Sequence, residues 1–307
     1  MNWLIFIAVA VLFDSLRIFV DNFTSDVFFK GRYAVSQKLF YGYAHIFVFA
    51  IVLAAIGFNF FSANPIAISL LFLSGICASV AGIPYFKALE IDDSTNIGIF
   101  TQLAPVMYLI FGWFLLGDTF SPIQLIAFAI VLAGPLLIVL TTKKRSRKIK
   151  IRAVLYAFLY VLISVIGNIL FVKANESSIG FIEEVSIVYL GSGIADVLLT
   201  TFISKWHRRF RTVTKQSHKK VFIPLTINTC IGMVKQFSYR GALVTAPAVA
   251  IASVVGDSSE PIVIFFLGLL LTLIWPKFGR ENLSKKTVLV HLIATVLVVV
   301  GIVLMQI

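Results

Sequence analysis

Late in the chain, VVGDSSEPIVIFFLGLLL (254–271) sets two carboxylates, Asp257 and Glu260, inside an otherwise apolar run. Three residues apart on a helix, they would share one face. Carboxylates at membrane depth are costly unless they meet a cation or line a wet cavity, and there they can hold a proton or a small cation. Lys235, in IGMVKQFSYRGALV (231–244), is embedded in similar sequence. Asp257, Glu260 and Asp196 are its candidate partners, with snorkelling toward the membrane surface as the alternative. Asp14 and Arg17 are spaced for an ion pair along one helix face. A second interrupted run, GIFTQLAPVMYLIFGWFLLGD (98–118), carries Thr101, Gln102 and Pro105. Pro105 and Pro261 each deprive a carbonyl of its helical donor, that of Thr101 and of Asp257 respectively, which predicts broken or bent helices.

Other chemistries lack residues. No HExxH, GxSxG or GxxxxGK pattern occurs, so zinc hydrolysis, serine nucleophile and ATP-driven readings have no support, and neither a catalytic residue, a metal nor a cofactor is expected. His45, His207, His218 and His291 are scattered. Cys77 and Cys230 sit in apolar stretches without CxxC spacing and are expected to be buried, reduced thiols.

These side chains need elements to hold them. Hydrophobic residues make up 59% of the chain, charged residues 13%, and the mean hydropathy is +0.99, the composition of an integral membrane protein. A spanning helix takes about 20 mostly apolar residues. Ten such stretches lie near 3–20, 38–58, 66–86, 95–116, 122–141, 153–173, 182–203, 221–241, 247–274 and 287–306. The fold class expected is an all-α polytopic membrane protein. The first stretch lacks a basic leader and a small-residue cleavage site, so it is expected to remain as a helix. The longest polar segment, KWHRRFRTVTKQSHKK (205–220), reads as a loop.

Loops 1–2, 3–4, 5–6, 7–8 and 9–10 hold 22 of the 26 Lys and Arg residues on this reading, Lys38 among them, while Lys173 and Arg240 lie on the other side. The positive-inside rule then places those loops in the cytoplasm and both termini outside, most simply in a bacterial plasma membrane. The net charge of +12 is thereby assigned to contact with anionic lipid, not nucleic acid.

The chain also repeats itself. GIPYFKALEIDDSTNIGIFTQLAPV (82–106) aligns with KQFSYRGALVTAPAVAIASVVGDSSEPI (235–262) through Tyr85 with Tyr239, Ala88-Leu89 with Ala242-Leu243, and Pro105 with Pro261. Five helices per half is an odd number, so the second half enters the membrane from the opposite side: two inverted five-helix repeats at 1–141 and 153–307, joined by a basic linker at 142–152. In this alignment Thr101 and Gln102 become Asp257 and Ser258, and Ala104 becomes Glu260. The first copy is neutral and the second carries the carboxylates. The competing reading makes GDSSEP a loop and divides 247–274. Tyr85 and Tyr239 read as interfacial anchors, and Asn168 and Asn228 as helix-packing residues.

YFKALE, a polar turn, LAPVMYLIFGWFLLGDTFS and a last helix ending IVLAG (130–134) resemble an EamA-type half of the drug/metabolite transporter superfamily. Pro105, Gly117 and Asp118 fill the first copy of the motif, with aspartate where the family usually has glutamate. Glu260-Pro261 and HLIATVLVVVGIVLM (291–305) fill the second, but LGLLLTLIWPKFGRE stands where LLLGE is expected. Cytoplasmic termini are usual in that family, against the charge distribution here. The resemblance implies a carrier of a small organic solute that performs no covalent chemistry, moving it by alternating access with ion or proton coupling or by exchange. Membrane lipid is its other partner, and a homodimer is left open. The runner-up is a non-transporting polytopic protein, a lipid-handling enzyme or an assembly scaffold.

Overall fold

A computed structural model describes residues 2–24, 33–91, 103–142, 150–176, 179–203, 207–208, 211–212, 215, 222–274 and 284–305. Its long elements are helices: α1 (Asn2–Thr24), α2 (Tyr33–Ala55), α3 (Pro65–Ile91), α4 (Ala104–Leu116), α5 (Pro122–Thr142), α6 (Ile151–Ala174), α7 (Phe181–Phe202), α8 (Phe222–Thr245), α9 (Val249–Ile274) and α10 (Lys285–Leu304). Seven of them, α1, α2, α3, α6, α7, α9 and α10, are long and apolar enough to cross a membrane. Ala104–Leu116 and Pro122–Ile138 are apolar but shorter.

Local chemistry sets several boundaries. Ser121 and Gln124 cap α5 reciprocally: the Gln124 N–H donates to Ser121 Oγ at 3.2 Å and the Ser121 N–H to Gln124 Oε1 at 3.0 Å. Pro122 then occupies the first turn, where its missing N–H is not needed. Ser284 accepts from the Thr287 N–H at 3.3 Å and starts α10. α4 ends in one wide π-turn, Gly112–Leu116, closed by Gly117 in the left-handed region at φ 75°. Beyond that turn the Asp118 carboxylate reaches the backbone N–H of Val249 at the start of α9, where Ala248 has no side chain that could cap. Burial pushes the Asp118 carboxyl above the ordinary aspartate value, against the Val249 N–H, which favours the charged form.

α9 is one helix that carries Pro261 in its interior, in line with the span expected at 247–274, and the competing loop reading of GDSSEP falls away. One sequence expectation changes here. Pro105, expected mid-helix in 95–116, lies in the first turn of α4, a position that proline suits; Thr101 and Gln102 lie outside the described residues.

In lipid, helices associate by close packing more than by hydrophobic driving force, and small residues let backbones approach. Gly75 of α3 abuts α7 so closely that a Cβ would sit 2.1 Å from the Val188 carbonyl oxygen, and a Cβ on Gly191 of α7 would sit 2.5 Å from that of Phe72. α5 and α10 meet in the same way, a Cβ on Gly301 falling 2.3 Å from Val131 Cγ2. Further pairings place α1 against α8 and α9, α3 against α6, α2 against α7 and α4 against α9. Large apolar side chains such as Phe47, Phe114, Ile126 and Phe202 are exposed, as lipid-facing positions are. Cys230 is exposed as well, where the sequence suggested a buried thiol. Overpacking a tight contact costs about 1–3 kcal/mol. Gly75→Ala is therefore expected to lower the thermal midpoint in mild detergent and the fraction of monodisperse protein recovered on gel filtration.

Candidate functional site

Eight of the ten helices, all but α5 and α10, wall a cavity of about 610 Å³. Its lining comes from Ala10–Ile18 of α1, Lys38–His45 of α2, Ala78–Tyr85 of α3 and Ala104–Tyr108 of α4, with mid-helix residues of α6 to α9. It is thus displaced toward the side on which α1 passes to α2 and α3 to α4.

Asp14, Lys235, Asp257 and Glu260 all line this cavity. Lys235 pairs with Asp14 across α1 and α8, Nζ to Oδ2 at 2.8 Å; Asp257, Glu260 and Asp196, the partners weighed from sequence, are not the ones it takes. Asp196 pairs instead with Lys38, at 3.0 Å, and accepts a hydrogen bond from Ser79 Oγ at 2.5 Å, while the Lys38 ammonium also donates to the Ser79 carbonyl at 2.7 Å. α2, α3 and α7 are thereby tied together. On α9, Ser253 Oγ donates to Asp257 Oδ2 at 2.9 Å. Among the described residues Glu260, three positions on, has no hydrogen bond or ion pair. Pro261 frees the Asp257 carbonyl at this level, and a backbone acceptor without its helical donor is tolerated where helix lines a polar cavity.

Aromatic rings make up much of the remaining wall. Tyr85 stands 4.9 Å from Tyr160, centroid to centroid, and Tyr189 lies between Phe49 at 4.2 Å and His45 at 4.7 Å. Cations lie over rings: Arg17 over Tyr41 and Lys235 over Tyr239, both at 5.7 Å. Asn168 donates to the Tyr108 hydroxyl at 2.5 Å. Tyr85 and Tyr239, read from sequence as interfacial anchors, therefore face the cavity, and Asn168 and Asn228 line it also.

Among the described residues, Lys38 and Arg240 lie within the bundle, where the loop count did not put them. Lys38, assigned to the first cytoplasmic loop, is a residue of α2 inside the bundle. Arg240, assigned to the opposite surface, is only 1% exposed, within α8. Its guanidinium lies 4.4 Å above the Phe171 ring and 3.4 Å from Ser74 Oγ. A periodic signal for this wall is visible in hindsight: Asn228, Gly232, Gln236 and Arg240 recur at four-residue spacing on α8, as do Tyr160, Ser164 and Asn168 on α6. Glu184, which looked isolated at the head of α7, is fully buried behind the cavity and accepts from Asn175 Nδ2 at 2.6 Å.

The described residues contain no group of three or more His, Cys, Asp or Glu side chains placed to hold a metal ion. The arrangement is suited to binding: a two-signed, aromatic-lined chamber with room for a polar solute.

No curated protein matches the chain. A solved crystal structure shares the fold, with a TM-score of 0.69 over 99% of this chain and 98% of the other at 16% identity. Residues 3–140 match the model of the EamA-like transporter family. This segment of the chain is therefore similar to the EamA-like transporter family, which belongs to the drug/metabolite transporter superfamily, and the seven helices long and apolar enough to cross a membrane are those of an integral, multi-pass membrane protein.

Proposed function

We propose that the protein is a secondary transporter that moves a small organic solute by alternating access, its ten helices crossing the membrane as two inverted five-helix repeats, 1–141 and 153–307, about the basic linker 142–152. The observation that carries this reading is a central cavity of about 610 Å³ to which both halves contribute charged and aromatic side chains. Its size lies within the usual range for small-molecule sites, about 300–1,000 Å³. The helix pairings support the repeat. Exchanging each helix for the one five positions on turns α1–α8 into α6–α3 and α1–α9 into α6–α4, while α2–α7, α4–α9 and α5–α10 map onto themselves.

In this reading Asp257 and Glu260 form the coupling wall, Asp14 and Lys235 balance it, and Pro261 shapes the helix that carries it. Thr101, Gln102 and Pro105 are the corresponding stretch of the first half. The basic loops face the cytoplasm and anionic lipid, both termini lie outside, and a bacterial plasma membrane is the setting. The cavity would then be displaced toward the cytoplasm, and the opposite side would be closed where Asp118 meets α9.

Uptake by reconstituted proteoliposomes against a panel of carboxylates, amines, sugars and nucleotides tests the proposal. Saturable accumulation or exchange of at least one solute, absent from protein-free vesicles, is the expected result. Turnover of a lipid substrate with no solute movement would sink it.

A further inference from the structure

We infer that Arg240 is an anion-binding residue of the cavity, so that the solute carries a carboxylate or a phosphate-type group. This rests on the transporter reading for the word solute, though not for the binding site itself.

The guanidinium is fully charged and almost completely buried, and a buried charge ordinarily comes with an opposite charge that hydrogen-bonds to it. Here it does not. Among the described residues no carboxylate oxygen is within ion-pair distance of Arg240. Its polar contact is one hydroxyl, Ser74 Oγ, at a long 3.4 Å. Its Nε is buried without an acceptor. The guanidinium carbon sits 4.4 Å from the centroid of the Phe171 ring, and Arg240 lines the cavity. A guanidinium seated over a ring, with a donor unfilled, offers the planar fork that matches a carboxylate or phosphate bidentately.

The neighbouring groups fit an anion. The Tyr108 hydroxyl, which accepts from Asn168 and is hydrogen-bonded with the Tyr239 hydroxyl, lines the same cavity. The cavity's other Lys and Arg side chains are engaged, Lys235 with Asp14, Lys38 with Asp196 and Arg17 over the Tyr41 ring. Glu184 is the nearest rival for Arg240. Its Oε2 is taken by Asn175 and its Oε1 has no partner, so it is not paired with Arg240 and does not line the cavity.

Matched aromatic probes separate charge from shape: benzoate and phenylphosphonate against the neutral benzamide and the cationic benzylamine, read by thermal shift and equilibrium binding on the purified full-length protein. The two anions are expected to stabilise the wild type, and benzamide and benzylamine to do so far less. Arg240→Gln is expected to weaken anion binding by about tenfold or more, Arg240→Lys by less because it keeps charge but loses the fork, and Glu184→Gln to leave it intact. Should Arg240→Gln not fold, Arg240→Lys and Glu184→Gln still decide. Weakened anion binding in the first with retained binding in the second supports the inference, and the reverse pattern assigns Arg240 to Glu184. Anions that bind no better than benzamide, or that bind Arg240→Gln as well as wild type, overturn it, as does a lack of anion binding at tens of millimolar. Anion binding through Arg240 without any solute uptake would leave this site standing and defeat the transporter reading instead. Uptake of neutral or cationic solutes alone, unchanged in Arg240→Gln, would do the opposite.

Discussion

Glu260→Gln is expected to abolish accumulation of solute against its gradient while leaving equilibrium binding close to wild type. The side chain faces the cavity from the middle of α9 without a hydrogen bond or ion pair among the described residues, so it can exchange a proton or a small cation with whichever side the cavity opens to. A glutamine of nearly the same shape cannot. The loss should reach about tenfold or more, the range in which a coupling free energy of 1–3 kcal/mol registers. Asp257→Asn should weaken binding and accumulation together, because that carboxylate is already organised by Ser253 at 2.9 Å and helps to shape the wall. The measurement is uptake into proteoliposomes with and without an imposed pH gradient, paired with binding by thermal shift. A Glu260→Gln protein that still accumulates solute with a wild-type response to the gradient would falsify the coupling role.

The second large effect concerns the Lys235–Asp14 pair. Removing one partner of a buried ion pair leaves a charge uncompensated and costs about 3–5 kcal/mol, whereas removing both is often close to neutral. With 24% and 20% of these side chains exposed, toward the cavity, the single cost should be smaller, about 1–3 kcal/mol. Lys235→Met and Asp14→Asn should each lower the thermal midpoint in detergent, and the double variant should recover most of it. Transport should not recover, because the carboxylates on α9 lose the cation nearest to them. Additive destabilisation in the double variant would show that the two side chains act independently.

The helices were legible because lipid demands apolar runs of fixed length, and nearly every described helix coincides with such a run. The run at 95–116 was the exception, since α4 begins only at Ala104. Pro105 looked like a break because sequence alone does not say where a helix starts. Asp14, Lys235, Asp257 and Glu260 stood out for one reason: charge inside an apolar stretch is rare enough to be noticed, and the structure brings all four to one cavity. Their pairing was not legible. Lys235 has several acids at its depth, and which one it meets depends on how α1 crosses α8. Lys38 and Arg240 were misplaced by a counting rule that treats basic residues near the end of a predicted span as loop residues. Tyrosines gave no signal of their own, since one ring chemistry serves membrane interface and binding wall alike. The four-residue recurrence of polar positions on α6 contains Tyr160, but Tyr85 and Tyr239 fall outside it and outside the one on α8.

The dimensions of the cavity carry an energetic consequence. At roughly 30 Å³ per molecule, a space of about 610 Å³ holds on the order of twenty waters, and its ionic walls will keep them hydrogen-bonded. A solute that enters must replace those hydration contacts almost one for one, so net affinity should be modest even where recognition is strict. Most of the discrimination then falls on mismatched solutes, which displace ordered water without restoring its bonds. A weakly held cargo is also one that can leave. For a carrier that has to release its load on the far side of the membrane, a wet chamber lined with charge is better suited to turnover than a dry one that binds tightly.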